Sequence, residues 1–199
     1  MTFQQLPQPN SASQTHRSLQ GALTLPAFVQ AGVYLVFGLI TVFWQQPTAT
    51  IDAVLLGLFM LALGASTALM GARLKPYDPQ LTQSLNSIAM LLAGAAALTL
   101  VLGTSIFWMS IIVSVALGLA SILKIFCGVR AKRSLPFIAK DWQLEGIIMT
   151  CASVGLLMMS SIGSKAVLGT AGGGAIIAGV FLLIGALSIA SEAKKLERD

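Results

Sequence analysis

Charge is the scarcest property of this chain: Asp, Glu, Lys and Arg together make up 10% of its 199 residues, against about 25% in an ordinary soluble domain. A water-facing surface cannot be assembled from so few. Histidine is scarcer still, because His16 is the sole one and stands in the polar N-terminal stretch. Neither a Ser-His-Asp arrangement nor a histidine-containing metal site has parts to be built from. The two cysteines, Cys127 and Cys151, form no CxxC pair and fall at different depths of successive apolar runs. They read as two buried thiols acting as small apolar side chains rather than as a disulfide or metal site. Also lacking is a basic start followed directly by a short apolar core and a small-residue cleavage site, so no cleavable signal peptide is expected. No extended polar loop exists in which to assemble an active site, and we expect neither an enzyme nor a cofactor.

What the chain has instead is apolar length. Hydrophobic residues make up 56% of it and the mean hydropathy is +0.85. The apolar runs are long and continuous rather than alternating, which points to membrane helices and away from a membrane barrel, since each backbone amide in lipid must be satisfied within its own segment. Residues 1–24, rich in Gln, Ser and Pro, read as a flexible tail. Six spans follow in residues 25–191: about Pro26 to Trp44, Ile51 to Lys75, Leu81 to Leu102, Ile106 to Phe126, Trp142 to Met159 and Ala166 to Ala190. Short connections at QQPTAT, GTS and SSIGS imply antiparallel hairpins, and residues 192–199 form a charged tail. The expected fold is therefore all-α and polytopic.

The net charge of +5 does not signal a nucleic-acid partner, because the bases lie in short loops beside apolar spans. Eleven of the twelve Lys and Arg flank the termini and the loops between hairpins, and only Lys165 stands at a hairpin tip. Both termini are thus expected to be cytoplasmic. Trp44, Phe107 and Trp108 by the tips, and Tyr77 and Trp142 by the basic loops, fit interfacial belts. Reporters fused at Thr48 and Lys75 should give opposite sidedness; identical sidedness at both would refute this topology.

The stripe Gly57, Gly64, Gly71 recurs as Ser114, Ser121, Gly128 at a shift of 57, and as Gly172, Gly179, Ala186 at a further shift of 58. Arg73 maps onto Arg130 by the first shift, and Gln30, Ser87 and Glu145 are related by both. The implied plan is three hairpins of the same orientation, about 25–72, 81–129 and 141–191, related by an axis along the membrane normal. Small residues every seven positions drift by only about 20° per step, so each stripe keeps to one helix face. In lipid, such faces serve close helix packing; lining a narrow solute path is the alternative.

The first hairpin, FGLITVFWQQPTATIDAVLLGLFMLALG, has a Gly-Leu in its first helix, a Pro at its tip, an Asp soon after and the Gly57, Gly64 pair. In these features the chain resembles the HdeD-like acid-resistance membrane proteins over most of residues 27–191. The resemblance implies a six-helix inner-membrane protein of repeated hairpins connected with acid stress. It implies no catalytic mechanism and transfers no site residue. The tips of the second and third hairpins lack the proline of the first.

Polar residues inside spans are costly and mark candidate sites. Glu145 leads, as a proton carrier or cation ligand near Gln30 and near Ser87 or its neighbour Asn86 if the repeats converge. The competing expectation puts Glu145 in a first helical turn near the headgroups, paired with Lys140 or Lys124. Lys124 is expected to snorkel to the interface, and Asp52 to be a helix-terminal charge. GTAGGG at Gly169 to Gly174 lacks the GK[ST] of a phosphate loop and reads as thinning for helix contact, and the eight methionines read as core filling. Two functional readings follow. One is a non-enzymatic protein of membrane or acid-stress tolerance, or a structural subunit with a membrane-protein partner or a second copy of itself. The other is a small proton- or solute-conducting transporter or channel using Glu145.

Overall fold

The computed structural model describes residues 9–44, 48–103 and 105–196, with side chains from 19 to 192 within those ranges. The described residues form six helices: α1 Pro9–Phe43, α2 Ala49–Leu74, α3 Pro79–Leu102, α4 Ile106–Ala131, α5 Pro136–Met159 and α6 Ser164–Leu196. The shortest has 24 residues, about 36 Å at the α-helical rise. That exceeds the hydrocarbon thickness of about 30 Å. All six are long and apolar enough to cross a membrane, with spans beginning at Leu19 in α1 and ending at Glu192 in α6. The protein is an all-α, multi-pass membrane bundle.

Local chemistry sets most of the helix starts. Thr48 caps α2 by accepting from the Ile51 amide at 3.4 Å, and Asp78 caps α3 by accepting from the Leu81 amide at 2.9 Å. Pro79 and Pro136 occupy the first turns of α3 and α5, where a missing N–H costs nothing. At the turn into α6, Gly163 has φ 126°, a conformation that penalises a Cβ. Two starts lie earlier than the sequence suggests. Helix α1 begins at Pro9 and runs through Pro26, so residues 9–24 of the expected tail are helical, with Leu19 and Leu23 buried; residues 1–8 lie outside the described part. Helix α5 begins at Pro136 rather than near Trp142. Trp142 is consequently a core residue at 1% exposure, not an interfacial one.

Each helix packs on its chain neighbours, and α1 packs on α6 to close the ring. The most extensive interfaces are α1 with α6, α4 with α5, and α2 with α3, all larger than those of α1 with α2, α3 with α4 and α5 with α6. Glycine placement supplies the reason. A Cβ on Gly57 would lie 2.9 Å from Leu100, one on Gly64 3.1 Å from the Ala89 carbonyl, and one on Gly71 3.0 Å from Asn86. All three neighbours are on α3. Gly128 approaches Ala139 and Gln143 of α5, while Gly172 and Gly179 approach Thr41, Leu35 and Tyr34 of α1. Missing side chains let these backbones come close, and dispersion and polar contacts hold helices together where lipid offers no hydrophobic drive. The Thr82 hydroxyl donates across the α2–α3 contact to the Gly71 carbonyl at 3.1 Å. Ser114, Ser121 and Ala186 are likewise buried.

Candidate functional site: a buried carboxylate with three donors

The site forms where α1, α4 and α5 face one another. Glu145 is the tenth residue of α5, roughly 13 Å from its start. It is 2% exposed. One carboxylate oxygen, Oε1, accepts from three side chains: Lys124 Nζ at 2.6 Å, Gln30 Nε2 at 2.7 Å and the Tyr34 hydroxyl at 2.7 Å. The other, Oε2, is buried and has no hydrogen-bond partner among the described residues. Such asymmetry is unusual, because an ionised carboxylate offers about four acceptor positions and unmet ones are costly away from water.

Two helices supply the three donors. Gln30 and Tyr34 stand four residues apart, one above the other on one face of α1. Phe59 of α2 fixes the tyrosine ring edge-on at 5.6 Å while stacking on Phe37 at 4.0 Å. Gly146 lets α5 press onto α4, where a Cβ would lie 2.7 Å from the Ser121 carbonyl. Lys124 therefore reaches Glu145 directly across the α4–α5 contact. Its side chain is 6% exposed, so the expected snorkelling position is not the one found. The expected pairing of Glu145 with Lys124 is present, but inside the bundle rather than among headgroups.

Beside the ion pair lies a void of about 10 Å³ lined by Tyr34, Thr67, Ser121, Lys124 and Glu145 and closed by apolar side chains of α2, α3 and α4. That is about the space of one water molecule. The Thr67 and Ser121 hydroxyls donate to the Leu63 and Leu117 carbonyls at 2.8 and 2.5 Å. What they offer the void is acceptor capacity.

The repeat-related polar residues do not all converge. Gln30 and Glu145 meet, whereas Asn86 and Ser87 are exposed on α3, with Ser87 donating to the Gln83 carbonyl at 3.0 Å. Leu85, Ile88 and Leu92 occupy the inward face of α3 instead. Tyr34 was not singled out from the sequence, although a polar pair at i and i+4 within an apolar run was its available signal. Asp52 differs more sharply from a terminal charge: it is 0% exposed, and among the described residues neither carboxylate oxygen has a hydrogen-bond partner. Ser164 at the start of α6 is the polar side chain that interacts with it, though without hydrogen-bond geometry, and its Oγ is also unpartnered. Roughly 20 Å of helix axis separate Asp52 from the level of Glu145. Cys127 is buried as expected, but Cys151 is exposed on the outer face of α5. Among the described residues no group of three His, Cys, Asp or Glu side chains is placed to hold a metal ion.

No protein-family model, curated protein or solved structure matches the chain. Fold and site together define the class: a six-helix multi-pass membrane protein with an ion pair buried within its bundle.

Proposed function

We propose that the protein is a non-enzymatic conductor of protons across the membrane, with Glu145 as the group that takes up and releases the proton. The observation that carries this reading is the unpartnered Oε2 of Glu145, beside a water-sized void, on a carboxylate whose other oxygen binds Lys124, Gln30 and Tyr34. Intramembrane ionisable residues are expensive and commonly mark ion paths or proton relays, and a buried ion pair is weak evidence for a stabilising role. A proton arriving through the void adds to Oε2 and neutralises the carboxylate. Lys124, no longer attracted, swings toward the basic end of α4, seven residues away, about 10 Å along the axis. Loss of the proton draws it back. The snorkelled and paired positions of Lys124 are thus the two states of one element. Asp52, buried near the opposite end, supplies a second carboxyl along the route.

The same reading places the chain in a bacterial inner membrane with both termini cytoplasmic, where a proton-responsive carboxylate suits the acid-stress role that the HdeD-like resemblance implies. Three hairpins of parallel orientation are the arrangement we infer for it. Supporting that inference, the small-residue faces of α2, α4 and α6 each meet the following odd-numbered helix, with α1 following α6 around the ring.

Protein reconstituted into vesicles under an imposed proton gradient, with an internal pH-sensitive dye, tests the proposal. Wild-type vesicles should dissipate the gradient well above the protein-free rate, and Glu145→Gln should return it to that rate while eluting from detergent as wild type does. Equal rates for wild-type and protein-free vesicles would refute proton conduction.

A further inference from the structure

The end of the bundle formed by the α2–α3 and α4–α5 turns carries Arg73, Lys75, Arg130, Lys132, Arg133 and Lys140 against Asp78 and Asp141. Asp78 is already engaged in capping α3. On the outer side of this end, between the first turns of α3 and the last turn of α4, runs a groove of about 410 Å³ lined by Gln80, Gln83, Ser84, Ser87 and Arg130. No acidic side chain lines it. The four α3 residues recur at three- and four-residue intervals, so they share one helix face. Gln80, Gln83, Ser87 and Arg130 are all exposed.

This surface carries a charge that the described residues leave unpaired. Arg130 cannot lose its charge, and among the described residues it makes no ion pair or hydrogen bond. The Gln80 and Gln83 amides are likewise without side-chain hydrogen bonds among those residues. Ser84 and Ser87 donate to the Gln80 and Gln83 carbonyls at 3.2 and 3.0 Å. The groove thus presents one permanent cation and two free amide groups, and its available donors match a phosphate oxygen cluster. Deeper in the membrane the same face of α3 changes character. Met90 is 77% exposed, and nothing lies within 4 Å of the position a Cβ on Gly94 would take. A polar, cationic cradle at headgroup level continues into a smooth apolar track at acyl-chain level.

We infer that this groove binds an anionic glycerophospholipid, its phosphate on Arg130, Gln80 and Gln83 and one acyl chain along Met90 and Gly94. A free phosphate would use the cradle but not the track, and a neutral lipid would use the track without matching the unpaired charge. The repeat relation adds a reason for the divergence of α3. Ser87 occupies the position that Gln30 and Glu145 hold in the other two repeats, and there those residues build the buried site. On α3 the equivalent polar position, Ser87, is exposed instead.

Native mass spectrometry of the protein released from bilayers of mixed phosphatidylglycerol and phosphatidylcholine tests the inference. Wild type should retain phosphatidylglycerol over phosphatidylcholine by about five- to tenfold, the ratio expected from one guanidinium at the bilayer surface. Arg130→Gln should abolish that preference, while Arg133→Gln, an equal loss of charge in the neighbouring turn, should keep it. Equal retention of both lipids by wild type would overturn the inference, as would a preference surviving Arg130→Gln or lost equally in Arg133→Gln. Displacement of the bound lipid by millimolar inorganic phosphate would overturn the acyl-chain contact and leave an anion site only. Arg130 lies on the outer surface, so its replacement does not disturb the core, and the readout is independent of proton conduction.

Discussion

Replacing Lys124 by methionine is expected to destabilise the bundle by about 3–5 kcal/mol, the usual cost of leaving one member of a buried ion pair without its partner. Lys124 and Glu145 are both inside the bundle, at 6% and 1% side-chain exposure, with the ammonium 2.6 Å from Oε1. Without the lysine, Glu145 retains only Gln30 and Tyr34 as donors, and its charge faces an apolar interior. Glu145→Gln should cost much less, because a freed Lys124 has a flexible stem and about two turns of α4 between it and the basic end. The double variant Lys124→Met, Glu145→Gln should recover to within about 1 kcal/mol of wild type, since neither charge then remains to be desolvated. Unfolding in mild detergent followed by circular dichroism measures all three. Strict additivity of the two single effects would mean that the pair does not interact energetically.

Gly172→Leu should produce the other large effect, loss of the α1–α6 contact that closes the ring. The Cβ of any residue at this position falls inside the van der Waals space of the Thr41 side chain, with Thr41 Cβ 2.7 Å away. Thr41 has little room to move, as it is 7% exposed and donates to the Gly38 carbonyl at 2.7 Å. Gly38 in turn packs against Ile176 and the Gly172 carbonyl. Even Gly172→Ala should cost about 1–3 kcal/mol by overpacking, with Thr41→Ala restoring part of it. Gly173→Ala, where nothing lies within 4 Å of the new methyl group, should be neutral or slightly stabilising through helix propensity. Thermal unfolding midpoints in detergent separate these cases. A midpoint for Gly172→Leu equal to that of Gly173→Ala would show that this crossing does not hold the ring together.

Much of the architecture was legible in the residues. Six apolar runs and the short turns between them define six helices, because backbone satisfaction in lipid permits little else. The recurrence of small residues from Gly57 to Ala186 marks the faces on which helices approach, since only a missing side chain allows backbone contact. Glu145 stood out as a carboxyl within a span, but the residues alone left it equally open to a first-turn position near the headgroups.

Rotation of each helix about its axis was not legible. In water an apolar stripe identifies the buried face, but here Leu39, Leu58, Phe126 and Ile184 are exposed to the surroundings of the bundle, and lipid accepts them as readily as the core does. Hydrophobicity therefore fails to distinguish inside from outside. Whether Lys124 snorkels or turns inward, whether Ser87 joins Glu145 or faces lipid, and whether Asp52 is a surface charge or a buried carboxyl all depend on that rotation. Helix number and the places of close approach follow from the sequence alone, because they depend on backbone chemistry and side-chain size. Which polar groups meet was decided only by the tertiary structure, because it depends on the packing of six rods at once.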